Sequence, residues 1–270
     1  MSLLLCRQEP VSHPFYIEVL GIHIFSSQEL CYVIYNNPLL VMEDFVDETL
    51  TGFIRSELDM DFVAGRMERL LETGTRPEEI LLLFLSECDY YTEKEIQKYK
   101  TEVSSYRSLH PAEYGKARAD YLFRKQQYGR AAARYERVLE LPADKKMDEA
   151  FREKVYNNLG SAYAQMFQFR KALTAYEKAY ELGEREEVLK RIFFLNRFAP
   201  ELEIKKSLRS RFSEEKRKKW EQEAAQAALD AEQAEEVRAL RALFKKDPIK
   251  RMNGAAVMVG KWKQEYRKMV

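Results

Sequence analysis

Cysteine and histidine are scarce in this chain, three of each, at Cys6, Cys31 and Cys88 and at His13, His23 and His110. An odd number of widely spaced cysteines makes neither a disulfide framework nor a zinc site, and the expectation is reduced thiols in a cytoplasmic protein. The histidines are equally scattered, with no HExxH or other paired-ligand spacing. No acid pair or nucleophile–base pair stands at a spacing that chemistry would use, so the chain reads as non-catalytic, with no cofactor and no metal. Glycine and proline are also few, 10 and 8 in 270 residues, which argues against a loop-rich β protein or a disordered one. Long apolar runs are missing too: none approaches the roughly 20 residues that span a bilayer. The opening MSLLLC is too short, and lacks a preceding positive region, for a secretory signal, and Cys6 leaves no room for a lipoprotein leader.

What is present is charge and helical periodicity. Charged residues make up 33% and apolar ones 46%. The net charge of +1 conceals an asymmetry: residues 1–100 hold 18 Asp/Glu against 8 Lys/Arg, and residues 101–270 hold 37 Lys/Arg against 26 Asp/Glu. Apolar residues recur at helical spacing almost throughout, predicting helices near 27–36, 43–57, 60–73, 76–88 and 93–109, then near 111–127, 129–141, 146–167, 169–182 and 185–198. Ser26 with Glu29, Thr75 with Glu78 and Thr92 with Glu95 stand at capping-box spacing, and Pro77 suits a first helical turn. Only "FYIEVLGIHIF" (15–25) alternates enough for a short strand or hairpin.

From Ser213 to Lys246 the sequence has no Pro or Gly, which predicts one helix of nearly 50 Å at about 1.5 Å per residue, capped by Ser213. Trp220, Ala224, Ala227, Ala231 and Ala234 form a narrow seam along it, expected to pack back on the molecule or on a second copy. A basic helix with Trp262 and Tyr266 is predicted near 255–268. "GAAVMVGK" (254–261) superficially suggests a phosphate loop. It has one residue too many between its glycines, Trp262 where Ser/Thr is needed and no preceding strand, so that reading is rejected.

The stretch "NNLGSAYAQMFQFRKALTAYEKA" (157–179) spaces small residues regularly among large ones. Within 153–186, Tyr156, Leu159, Gly160 and Tyr163 mark one helix and Ala172, Tyr176 and Ala179 a second, with Glu184 after it. Two antiparallel helices approach closely only where facing side chains are small, so Gly160 is expected to face Ala172. A second copy lies 41 residues upstream, where Ala131, Tyr135 and Val138 match Ala172, Tyr176 and Ala179. Its first helix carries Ala119 and Leu122 in place of Gly160 and Tyr163. The pattern resembles the tetratricopeptide repeat, with Glu184 where that family usually has proline. The resemblance covers about 112–198.

The resemblance implies an all-α fold of antiparallel helix pairs stacked as a superhelix, followed by the long C-terminal helix. It divides the chain into an acidic, mostly helical region (1–110), the repeats (111–200) and a long charged helix with a basic C-terminal helix (201–270). It further implies a scaffold or adaptor that binds a peptide or helix of a protein partner in its concave groove. The groove positions it carries over are Glu113, Lys116, Asp120, Phe123 and Arg124 upstream, and Lys154, Asn157, Asn158, Ser161 and Gln165 downstream. Lys116 and Asn158 fit two places of a carboxylate clamp found in some family members. Asp120, Val188 and Ile192 stand where Asn and a basic pair are needed, which argues against that clamp. Self-association through the long C-terminal helix is a further expectation. The alternative is nucleic-acid binding by the basic stretches 204–220 and 245–269. A DNA-binding N-terminal domain ahead of the repeats is disfavoured by the acidic balance of residues 1–100.

Overall fold

A computed structural model describes residues 11–142 and 144–270; the MSLLLC stretch and Cys6 lie outside them. Two compact units divide the chain between Tyr121 and Leu122.

In the first unit, β1 (Phe15–Ile17) and β2 (Ile22–Ile24) pair antiparallel with Phe15 opposite Ile24, the hairpin that the alternation at 15–25 predicts. Phe15 packs its ring 5.6 Å from Phe53. Six helices follow: α1 (Ser27–Asn36), α2 (Pro38–Val41), α3 (Glu48–Ser56), α4 (Asp61–Glu72), α5 (Pro77–Glu87) and α6 (Glu93–Arg107). Helices α3, α4, α5 and α6 pack successively in chain order, and α5 also receives α1 and α2. Leu30, Ile34, Leu50, Ile54, Met67 and Phe84 are fully buried between them.

Of the three predicted capping boxes, Thr92/Glu95 forms in full, and Ser26 caps its helix while Glu29 reaches one residue further back. Ser26 Oγ accepts from Glu29 N while Glu29 accepts from Phe25 N, and Thr92 and Glu95 satisfy each other reciprocally. The third does not form. Arg76 takes the N-cap position of α5 with no side-chain bond, and Glu78 turns inward to accept from Arg107 Nε and Nη2 at 2.6 and 2.8 Å. Arg107 also donates to the Met42 carbonyl at 2.8 Å, which ties α6 to the end of α2. The Arg107 guanidinium holds the Glu78 carboxylate more strongly than a single backbone N–H would, because it brings a full opposite charge and two parallel N–H donors.

Helix α7 (Pro111–Arg124) carries the boundary between the units. In the second unit α8 (Tyr128–Glu140), α9 (Glu149–Gln165), α10 (Phe169–Gly183) and α11 (Glu186–Phe198) pack successively in chain order. The two helix–helix turns repeat each other at the 41-residue offset. Gln126 N donates to Phe123 O and Gln127 N to Leu122 O, just as Phe167 N donates to Ala164 O and Gln168 N to Tyr163 O. Gln126 and Phe167 both adopt left-handed backbone, at φ 61° and 60°. This is the Schellman arrangement, in which a left-handed residue lets the chain satisfy the last carbonyls of one helix and enter the next.

Gly160 is packed against Tyr176 rather than Ala172. A Cβ built on Gly160 would meet Tyr176 Cδ1 at 2.6 Å and Cε1 at 2.7 Å. The large partner is an aromatic face, which needs a bare backbone opposite it. Glu153 is the second tight point: it is 2% exposed, lies under Gly183 and pairs with Arg185 Nε at 3.1 Å.

Beyond α11 come α12 (Lys206–Arg209), α13 (Glu214–Glu232), α14 (Glu235–Phe244) and α15 (Pro248–Met269). The single helix expected over 213–246 is thus two, broken at Gln233–Ala234. No Pro or Gly marks the break; the acids Glu235 and Glu236 suit the positive end of a new helix, and the turn lets Leu243 bury against Gly254 of α15. Ser213 caps α13 as predicted, accepting from Lys216 N. The final helix begins at Pro248 rather than near 255, with Asp247 as its N-cap. "GAAVMVGK" lies wholly inside it, so no loop exists there to hold a phosphate. Of the proposed seam only Trp220 is buried, against Phe193 at 5.4 Å and Phe212 at 6.2 Å, while Ala227 and Ala231 are exposed.

Candidate functional site

Three helices of the second unit, α9, α10 and α11, enclose a pocket of about 320 Å³. Its walls are mainly aromatic, from Phe167, Phe169, Tyr176, Phe194 and Phe198, with Gln165 and Arg191 as its polar members. Phe167 and Phe198 are 69% and 76% exposed, so two large apolar rings stand at the surface beside the opening. The Schellman turn is what places Phe167 there: it ends α9 and starts α10 within three residues, leaving the side chain of the left-handed residue pointing away from both helices' cores. On α11 consecutive phenylalanines diverge, with Phe193 packing on Trp220 of α13 and Phe194 lining the pocket.

Arg191 is positioned by neutral acceptors. Its Nη1 donates to Ser161 Oγ at 2.8 Å and to Asn157 Oδ1 at 3.0 Å, both on α9. Ser161 Oγ is 3.1 Å from the Tyr176 hydroxyl, and it also donates to the Asn157 carbonyl at 3.1 Å. Burial pushes the Tyr176 phenol above its ordinary pKa, and the Ser161 bond and the Arg191 charge only partly offset this, so the ring stays neutral. No carboxylate among the described residues pairs with Arg191. The carboxylate nearest in sequence on its own helix, Glu187 one turn earlier, is exposed and makes no ion pair with it.

Of the residues carried over from the resemblance, Asn157, Ser161 and Gln165 converge on this site. Asn158, half-buried, accepts from Asn157 Nδ2 at 3.5 Å, and Lys154 is exposed one turn before it on α9. Lys116 and Asp120 belong to the first unit and pair with each other at 2.6 Å. Glu113 accepts from His110 N at 3.2 Å, at the start of α7. Phe123 packs edge-on against Tyr128, ring centres 5.1 Å apart, and Arg124 is exposed. Val188 and Ile192 are core residues, 1% and 0% exposed. Arg191, which the sequence reading passed over, stands beside Ile192 and on the other side of the helix from the core. The signal that would have found it is the i, i+4 pair Asn157 and Ser161, two acceptors on one stripe facing the next helix.

Among the described residues, no group of three or more His, Cys, Asp and Glu is placed to hold a metal ion, and no helix is long and apolar enough to cross a membrane. Residues 153–185 match the family model of the tetratricopeptide repeat. No curated protein and no solved structure matches the chain. The match runs from Glu153 within α9 through the Phe167 turn to Arg185 just past α10, and it gives the class of this segment alone: a tetratricopeptide helical repeat, carried by an all-α chain whose adjacent helices pack in pairs. Repeats of this class act as protein-interaction scaffolds.

Proposed function

We propose that the chain is a non-catalytic adaptor whose second unit binds a segment of a partner protein across the face shared by α9 and α11. The observation that supports this most is the exposed aromatic pocket flanked by the polar row Asn157, Ser161, Gln165 and Arg191. It joins apolar area to oriented donors and lies within and beside the segment that matches the repeat family. At about 320 Å³ it is near the lower end of ligand pockets, which run roughly 300–1,000 Å³, room for a large side chain rather than a cofactor. A reducing, cytoplasmic setting accords with Cys31 and Cys88, neither of which forms a disulfide.

Photo-crosslinking tests the reading. A photoreactive residue at Gln165 should capture a defined partner, and the same residue at the exposed Thr174 of α10 should not. Equal capture at both positions, or none at Gln165, would contradict it.

A further inference from the structure

Ion pairs hold many cations of the second unit: Lys205 pairs with Glu181 at 2.7 Å, Lys216 with Glu186 at 3.2 Å and Arg185 with Glu153 at 3.1 Å. Lys190, on the same helix as Arg191, pairs with Glu223 of α13. Arg191 instead meets neutral groups: Nη1 donates to two oxygens, and the side chain also hydrogen-bonds the Tyr176 hydroxyl. A guanidinium carries five N–H donors in a rigid fork. Neutral acceptors fix its orientation without cancelling its charge, which stays available to a carboxylate, the acceptor that fork matches best. The facing stripe of α9 adds Lys154, Asn157, Asn158, Ser161 and Gln165, and its carboxylate one turn before Asn157, Glu153, is buried and paired with Arg185.

Beside this charge lies a pocket walled by aromatic rings. One of them, Phe167, occupies left-handed backbone at φ 60°, where a non-glycine residue costs about 1–2 kcal/mol. The equivalent residue of the upstream turn, Gln126, is polar. That conformation belongs to the Schellman turn that Gln126 shares; what sets Phe167 apart is an apolar ring left 69% exposed, the kind of surface a partner covers. Tyr266 of α15 lies beside it, ring centres 6.4 Å apart, and steadies one edge.

Resting on the reading of this face as a partner-binding surface, we infer that its ligand is an acidic–aromatic peptide segment: a Trp or Phe side chain fills the pocket while an adjacent Asp or Glu meets Arg191. The aromatic ring supplies the apolar burial, and offset or edge contacts with Phe169, Phe194 and Phe198 suit an aromatic guest. The carboxylate supplies selectivity, since a peptide with Lys at that place would bring two cations together.

The test uses the full chain and fluorescein-labelled nonapeptides of Gly/Ser background with one central Trp, flanked by two Glu, two Gln or two Lys. Fluorescence polarisation should rank them Glu over Gln over Lys, with about tenfold between the first two, the scale of one charge-assisted hydrogen bond. Arg191→Gln should erase the difference between Glu and Gln peptides, and Arg191→Glu should invert the order in favour of Lys. Replacing the Trp with Ala should abolish binding of every peptide. Equal binding of the three peptides to the wild-type chain, or a ranking that Arg191→Glu leaves unchanged, would overturn the inference. Absence of binding to any peptide would overturn it too. Capture at Gln165 alongside any of these failures would leave the partner-binding reading standing, whereas loss of that capture would end both.

Discussion

At the scale of the residue, the second unit is organised by contacts that tolerate no extra atom. Gly160 is buried against the Tyr176 ring, and Gly160→Ala would place a methyl 2.6 Å from Cδ1. The ring cannot withdraw without losing its hydroxyl contact with Ser161, so the substitution should cost about 1–3 kcal/mol, read as a lower midpoint in denaturant unfolding. The left-handed turn residues predict the opposite sign. Gln126→Gly should stabilise by about 0.5–1 kcal/mol, the relief of strain less the entropy of a freer unfolded chain. Phe167→Gly should also leave the melting temperature equal or higher, yet weaken capture of a partner. A joint loss of stability and capture would mark Phe167 as a packing residue. Legibility at this scale was uneven. The small residues were plain in the sequence, but what faced them was not, because periodicity gives the face of a helix and not which neighbour fills it. Gly160 therefore seemed to meet Ala172. Arg191 was missed for the same reason: its role depends on which residues of α9 lie opposite, and nothing on α11 alone distinguishes it from a solvated arginine.

At the scale of the element, caps and turns set most helix limits, and tertiary contacts override them in places. Ser26, Thr92 and Ser213 cap as local spacing requires. Thr75 does not, because Glu78 is claimed by Arg107 from 29 residues away. Arg107→Ala would strand a buried carboxylate that is 4% exposed and should cost about 3 kcal/mol or more, measurable by chemical denaturation. Arg107→Lys should recover only part of it, lacking the two-pronged geometry. The break at Gln233–Ala234 was illegible because it carries no breaker; it is visible only once Leu243 has a place to bury. The far end of α15 rests on α8 through Gly129, where an added Cβ would meet the Val270 oxygen at 2.1 Å. Gly129→Ala should leave α8 intact but free that end, seen as faster hydrogen exchange at Tyr266–Met269.

At the scale of the whole molecule, the charge is divided between the units. Residues 122–270 hold 34 Lys/Arg against 23 Asp/Glu, and residues 1–121 hold the opposite excess. The basic stretches 204–220 and 245–269 within the second unit suggested nucleic acid as the alternative partner. Binding of that kind falls steeply with salt, because each neutralised phosphate releases a counterion; the expected result for this chain is no tight, salt-sensitive binding of an oligonucleotide. The account rests instead on the α9/α11 face, and hydrogen exchange of the full chain with and without its captured partner tests it most directly. Protection should appear in the turn at 166–168 and along 191–198. Protection confined to α15, with those segments unchanged, would contradict the account.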